Sequence, residues 1–164
     1  MFRLSPETPD DEAEVEFLFD LCFAPGRTAL SSYRLRDDVS KVADLSLVAR
    51  DGYGGVAGAI RYWPVLIGQR ADRALLLGPV AVHPTHQGEG LAAMLILESL
   101  QSARQTGWER VVLVGDAPYY KRFGFAKADA IRFPPPTNPD RLLALELVEG
   151  GLDGISGMVR KFTQ

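Results

Sequence analysis

Cysteine is almost missing from this chain. A single residue, Cys22, in 164 excludes an internal disulfide and a zinc site built from cysteines. Long apolar runs are missing too. The longest, Ala74–Val82, is broken by Gly78 and Pro79 and falls well short of the ~20 residues a membrane helix requires. Nor is there a cationic surplus: 18 Lys and Arg stand against 21 Asp and Glu, a formal charge of −3. Phosphate contacts to a nucleic acid would need the opposite balance. The opening Met1-Phe2-Arg3-Leu4-Ser5-Pro6 has no secretory apolar region. Repeats and low-complexity tracts are lacking, apart from a cluster of Pro134, Pro135, Pro136 and Pro139. What is present is ordinary globular usage, 46% apolar and 24% charged, which excludes disorder and predicts one domain over residues 1–164. A cytoplasmic protein with no nucleic-acid or membrane partner is expected.

Local patterning predicts the elements. Met1–Leu4 reads as a short strand, and Thr8-Pro9-Asp10-Asp11 as a helix start with a hydroxyl cap, an early proline and acids at the positive dipole end. Val15, Leu18, Phe19 and Cys22 then mark one apolar face. Ala24-Pro25-Gly26 stops that helix, and a weaker one runs through Ala29–Asp37. Leu45–Arg50 and Gly55–Leu66 flank the Asp51-Gly52 turn as a hairpin, followed by a long strand over Arg73–His83. Glu89–Gln105 is a helix apolar nearly all round in its first half, which must lie against a sheet. Arg110–Val114 is an aliphatic strand, Pro118–Phe123 a short helix, and Phe125–Ile131 and Arg141–Leu147 are strands. Val148–Gln164 is glycine-rich and fits no element. The β-α-β unit over Arg73–Val114 requires parallel strands, and the hairpin before it antiparallel ones. The prediction is an α/β fold with a mixed sheet and helices on both faces.

The informative junction is Val80-Ala81-Val82-His83-Pro84-Thr85-His86-Gln87-Gly88-Glu89-Gly90-Leu91-Ala92, a strand running through a two-glycine loop into a helix. Free N–H groups and the dipole of a helix start attract anions, and glycines let a bulky one reach the backbone. On their own, Gly88 and Gly90 are better explained as turn residues. The Gly-Lys-Ser/Thr ending of a Walker loop is absent, and the G-x-G-x-x-G register fails after Gly90.

The stretch Gln87-Gly88-Glu89-Gly90-Leu91-Ala92 resembles the Gln/Arg-x-x-Gly-x-Gly/Ala signature of the GNAT superfamily of acyl-CoA-dependent N-acetyltransferases. Leu77-Gly78-Pro79-Val80-Ala81-Val82-His83-Pro84 is similar to that family's fourth strand. Gly115-Asp116-Ala117-Pro118-Tyr119-Tyr120-Lys121-Arg122-Phe123-Gly124-Phe125 resembles its Tyr-x-Lys/Arg-x-Gly-Phe motif, in the form of a bacterial branch of predicted N-acetyltransferases. The motifs fall over residues 45–125, leaving 126–164 as C-terminal strands and tail. The resemblance implies that the strands over Arg73–His83 and Arg110–Val114 splay apart to take the pantetheine arm of acetyl-CoA. Backbone groups of Val80, Ala81 and Val82 would bond that arm. N–H groups of Gln87, Gly88, Glu89, Gly90, Leu91 and Ala92 would hold the pyrophosphate. Tyr120 would stand near the thioester sulfur as a proton donor to the CoA thiolate. Two departures are visible. Gln87 replaces the more frequent Arg, and Gly115-Asp116 stands where many members have Asn.

The implied reaction is direct acetyl transfer to an amine, a small molecule or a peptide, with no metal and no acyl-enzyme. A non-catalytic acyl-CoA-binding module is the alternative. No general base is evident, because acids on the central strands are sparse, and ordered water is left for that task. Plainer readings suit the other residues. His83 and His86, without nearby carboxylates, are structural or solvated, and Cys22 is a core thiol. The acids of Pro9–Glu16 form a solvated helix face. Trp63 and Tyr62 line an acceptor cleft or fill the hairpin. The acceptor wall falls around Ala24–Asp38 and Tyr62–Arg70, and an exposed last strand or tail leaves a homodimer open.

Overall fold

Strand β1 (Arg3–Pro6) ends just before the cap that starts the first helix. The Asp11 carboxylate accepts the Thr8 backbone N–H at 2.8 Å and the Thr8 hydroxyl at 3.0 Å, and Pro9 occupies a position that needs no donor. One 3₁₀ turn leads into α1 (Glu12–Cys22), whose Val15, Leu18 and Phe19 are fully buried. The computed structural model describes residues 1–23, 27 and 30–164, so the expected Ala24-Pro25-Gly26 turn and the expected helix start at Ala29 lie outside the described residues. The second helix is a single turn, α2 (Ser31–Arg34).

Strands β2 (Leu47–Arg50), β3 (Val56–Ile67) and β4 (Asp72–Val82) form the antiparallel run. Helix α3 (Leu91–Gln105) then crosses to β5 (Arg110–Val114), which lies parallel to β4. A short α4 (Ala117–Tyr120) and a 3₁₀ turn end at Gly124, whose φ of +96° suits glycine. The single strand expected over Phe125–Ile131 is instead two, β6 (Ala126–Lys127) and β7 (Ile131–Arg132), divided by a turn in which the Ile131 N–H donates to the Ala128 carbonyl. Strand β6 pairs with β8 (Leu142–Glu146), whereas β7 leaves to pair with β9 (Gly157–Lys161). Strand β9 forms from the tail that fitted no element. It pairs with β3 through Val159–Lys161 and with β7 through Gly157 and Met158.

The main sheet runs β1-β2-β3-β4-β5-β8-β6 and carries a helix on each face. Leu91, Leu95, Ile96 and Leu100 of α3 bury against Leu45, Ile60 and Tyr62, while α1 covers Val48, Ala59 and Ala81 on the other side. Gly58 admits α3 closely: a Cβ there would meet Leu91 and Leu95 methyls at 3.0 and 3.1 Å.

The expected splay is explicit. Strands β4 and β5 pair only at Leu75–Val111 and Leu76–Val112. Immediately beyond, Tyr62 faces Leu77 but Ile60 faces Val80, so Gly78 and Pro79 bulge opposite the single residue Arg61. Strand β4 continues along β3 to Val82, while β5 stays with β8 through Val114. The acids of the first helix are not simply solvated. Asp11 and Glu14 pair with Arg50 at 2.6 and 3.1 Å, and Glu16 binds both Arg61 and Arg27. Arg61, only 7% exposed, also bonds Glu7 through Nε at 3.0 Å and Nη2 at 2.9 Å, tying the chain after β1 to the bulge. Removing one side of a buried pair strands the other charge. Glu7→Ala should therefore lower the unfolding free energy by about 3 kcal/mol in urea titration. A loss within ~0.5 kcal/mol, ordinary for surface positions, would show the tie to be dispensable.

Candidate active site

Where β4 and β5 part, a cleft of about 700 Å³ opens, a usual size for a small-molecule site. One wall is Leu76–Val80 and the other Val114–Asp116 with Tyr119 and Tyr120; Phe23, Tyr33 and Arg36 close the side next to α1 and α2. Backbone groups alternate between the two edges of a strand. The His83 N–H donates to the Ala57 carbonyl at 2.7 Å, so the register turns Ala81 toward β3 and leaves Val80 and Val82 facing the gap. The Val82 carbonyl accepts the Cys22 thiol at 3.4 Å, as a group free of β3 would. Ala81 is thus turned away from the edge expected to hold a ligand. Its neighbours present their backbone to that edge.

Tyr120 lines the cleft with its ring edge-on to Tyr119 and Phe125, at 5.1 and 5.9 Å between centroids. A Cβ on Gly115 would lie 2.7 Å from its Cε2, so only glycine leaves room for this rotamer. Asp116 accepts the Tyr119 N–H at 3.3 Å and caps α4. Burial, with Tyr119 adding to it, pushes the Tyr120 phenol up to about 12.

The loop beyond Val82 starts α3. Gly88 and Gly90 sit at φ +85° and +77°, with open space where a Cβ would be. The first helical bond runs from Met94 N–H to the Gly90 carbonyl, so Leu91, Ala92 and Ala93 keep N–H groups unused within the helix. Gln87, Gly88, Glu89 and Gly90 are exposed. Of the sequence-predicted residues, Val80 and Tyr120 line the cleft itself, and Val82 and Gln87–Ala92 continue along β4 into the α3 start.

The plainer expectations divide. Tyr62 is fully buried, donates to Ser99 at 2.7 Å and packs the core. Trp63 pins the bulge by donating its Nε1–H to the Gly78 carbonyl at 2.8 Å. The wall expected over Tyr62–Arg70 contributes nothing to the cleft among the described residues, whereas Ala24–Asp38 supplies Arg27, Leu30, Ser32, Tyr33 and Arg36. Arg141 went unnoticed as a cleft residue, since it belongs to no spaced motif, while Arg36 fell within the expected wall and Asp116 within the Gly115–Phe125 motif without being given a role. Burial pushes the Cys22 thiol up, which suits an inert group.

His86 does have carboxylates nearby. Its ring nitrogens contact Glu89 at 2.9 Å and Asp51 at 3.2 Å, and Phe2 meets it edge-on. Among the described residues no group of three or more His, Cys, Asp and Glu could hold a metal. The bond to Glu89, seconded by Asp51, raises the His86 pKa above 6.5. A raised imidazole stabilises the fold fully below its unfolded pKa, and that contribution fades as pH rises through the native value. NMR titration should find His86 titrating above 6.5, with melting temperature falling across that window in the native chain and not in His86→Gln.

The chain matches the family described as an acetyltransferase (GNAT) domain over residues 43–127. It is 31% identical over 155 residues to the uncharacterised N-acetyltransferase YhbS of Escherichia coli, covering 93% of this chain and 92% of that one. The crystal structure of E. coli YhbS in complex with CoA superposes with a TM-score of 0.86 at 28% identity, covering 98% of this chain and 89% of that one. A GNAT acetyltransferase from Brucella melitensis in complex with acetyl-CoA gives 0.76 at 30% identity, covering 99% and 97%.

Proposed function

The chain belongs to the GNAT family of N-acetyltransferases, and on that footing we propose that it binds acetyl-CoA along the open edge of β4 and across the start of α3, and transfers the acetyl group to an amine. The observation that carries this reading is the parting of β4 from β5 just before a glycine-opened helix start. Val80 offers a carbonyl, and Val82 an N–H, to an extended amide-bearing arm as a further strand would. The apolar walls of the cleft suit its methylenes. Gly88 and Gly90 leave the free N–H groups of α3 open to phosphates. Gln87 adds no charge there, so the backbone does that work. The relatives solved with CoA and acetyl-CoA support the assignment.

The chemistry follows from these parts. An amine of pKa near ~10.4 must first shed a proton to ordered water, and the attacking neutral amine gives up a second N–H proton to water as the amide forms. Its lone pair attacks the thioester carbonyl, a C–N bond forms, and the Val80 N–H is oriented to meet the growing oxyanion. As the C–S bond breaks, charge passes to sulfur beside Tyr120. A thiol has a pKa near ~8.5, far below that of this buried phenol, so complete proton transfer runs uphill. Tyr120 therefore serves as a neutral hydrogen-bond donor to the leaving thiolate. Cys22, engaged with Val82, forms no acyl intermediate. One cysteine and no apolar membrane helix among the described residues fit action in the cytoplasm.

Gly90→Glu should place a carboxylate where phosphates approach, and calorimetry should show acetyl-CoA affinity lost while circular dichroism stays native. Gly90→Asn, which tolerates a left-handed backbone and adds no charge, should retain most of the affinity. Unchanged binding in Gly90→Glu would remove the phosphate cradle. Tyr120→Phe keeps the ring and deletes the donor. It should lower kcat by ~10²-fold, the scale of one lost donor to developing charge, with acetyl-CoA affinity nearly unchanged. Full turnover with only a lower melting temperature would make Tyr120 a core residue.

A further inference from the structure

Arg36, just after α2, places its guanidinium carbon 3.9 Å from the centre of the Tyr33 ring and 5.4 Å from that of Trp63. Its Nη2 stands 3.5 Å from where a Gly78 Cβ would be, directly over the β4 bulge, and the residue lines the cleft. Nε and Nη1 are buried without any hydrogen-bond partner. The neighbouring cations are satisfied: Arg27 by Glu16 and Asp20, Arg61 by Glu7 and Glu16. Burial holds the Arg36 guanidinium down to about 10, which still leaves it charged at neutral pH. A desolvated cation without a counter-charge destabilises the fold. The Tyr33 and Trp63 ring faces offset part of this, but no carboxylate pairs with Arg36 among the described residues. A partner arriving with the ligand would.

We infer that the acceptor amine carries a carboxylate, which docks on Arg36 at the β4 bulge. The inference rests on the acyl-transfer reading above and specifies the acceptor within it. The anion is not the cofactor's. Gly78 lies four residues before Val82, ~13 Å back along an extended strand, and the α3 start is farther still. The guanidinium is therefore at the acyl end of the site. Its planar fork matches a carboxylate. The cleft around it is short of negative charge: exposed Arg141 lines the facing wall, and Asp116 is the one acid among the described lining residues. A cation this close also disfavours the ammonium form of the acceptor, which helps it shed the proton that blocks attack.

The test is acetyl transfer, followed by CoA thiol release, to free amino acids, their amides and the matching decarboxylated amines. Peptides with Asp or Asn at the second position form a further arm. Carboxylate-bearing acceptors should exceed their neutral counterparts in kcat/KM by about ten- to a hundredfold, the usual scale of a charge-assisted bond. The arm that responds tells a free amino acid from an acidic peptide. In Arg36→Gln the ratio should fall to near one with the acetyl-CoA Kd unchanged. The ligand-free protein should melt higher, which a structural role for Arg36 would not produce. Arg36→Lys, keeping charge without the fork, should retain part of the ratio. Equal or faster turnover of the neutral amines, turnover of neither series, or a preference that survives Arg36→Gln overturns the inference. Failure of the native protein to bind acetyl-CoA overturns the acyl-transfer reading and this one with it, and calorimetry separates the two failures.

Discussion

Backbone N–H and C=O groups inside a sheet are normally paired on both sides, and β4 gives up one side beyond Leu76. The bulge at Gly78-Pro79 makes this tolerable. It lets β4 keep β3 as far as Val82 while the other edge swings free of β5, which is held by β8. The free edge, the cleft and the run into α3 all follow from that one divergence. Trp63 and Arg61, two residues apart on β3, brace the bulge. One holds the Gly78 carbonyl, and the other is anchored by Glu7 and Glu16. A site whose backbone groups await a partner strand needs such bracing, because the groups cannot satisfy themselves by collapsing together.

The charged groups divide along the same line. Arg50, Arg61 and Arg27 each hold carboxylates from α1 or the segment before it, so the first helix is clamped to the sheet by ion pairs as well as by Val15, Leu18 and Phe19. Arg36 shares their neighbourhood, and the Tyr33 ring with Arg27, but none of their carboxylates. The three arginines that clamp the first helix come with acids, whereas Arg36 lines the cleft without one.

How much of this could be read from residues alone depends on the range of the interactions. Strand Arg110–Val114 has the predicted bounds because an aliphatic run after a helix-ending glycine is a local signal. Helix α3 and the parallel pairing of the strands on either side of it are equally local. Strand β9 escaped because the segment leading into it is glycine-rich, and its pairing with Val65–Ile67 is made at long range. The stretch after Phe125 misled for a related reason: Ala126–Lys127 and Ile131–Arg132 are two residues each and take their strand character from different partners. At the site, the resemblance could place Val80, Ala81 and Val82 on one strand but not say which backbones face the gap. That parity depends on register with β3. The clamp by Arg50 and Arg61, and the isolation of Arg36, exist only once distant segments meet.

The departure at Gly115-Asp116 shows how one local change serves the site. An asparagine at Gly115 would drive its Cβ into the Tyr120 ring, so a side chain at that point and this tyrosine rotamer exclude each other. The chain keeps the rotamer. Asp116 then turns to the start of α4, where its carboxylate takes the Tyr119 N–H and its carbonyl takes that of Tyr120 at 3.0 Å. The loop after β5 thereby fixes the phenol from three sides: missing bulk at Gly115, a cap at Asp116, and the Phe125 ring edge-on. A donor held this firmly needs little reorganisation when charge develops beside it, and that preorganisation offsets the weak acidity that burial imposes.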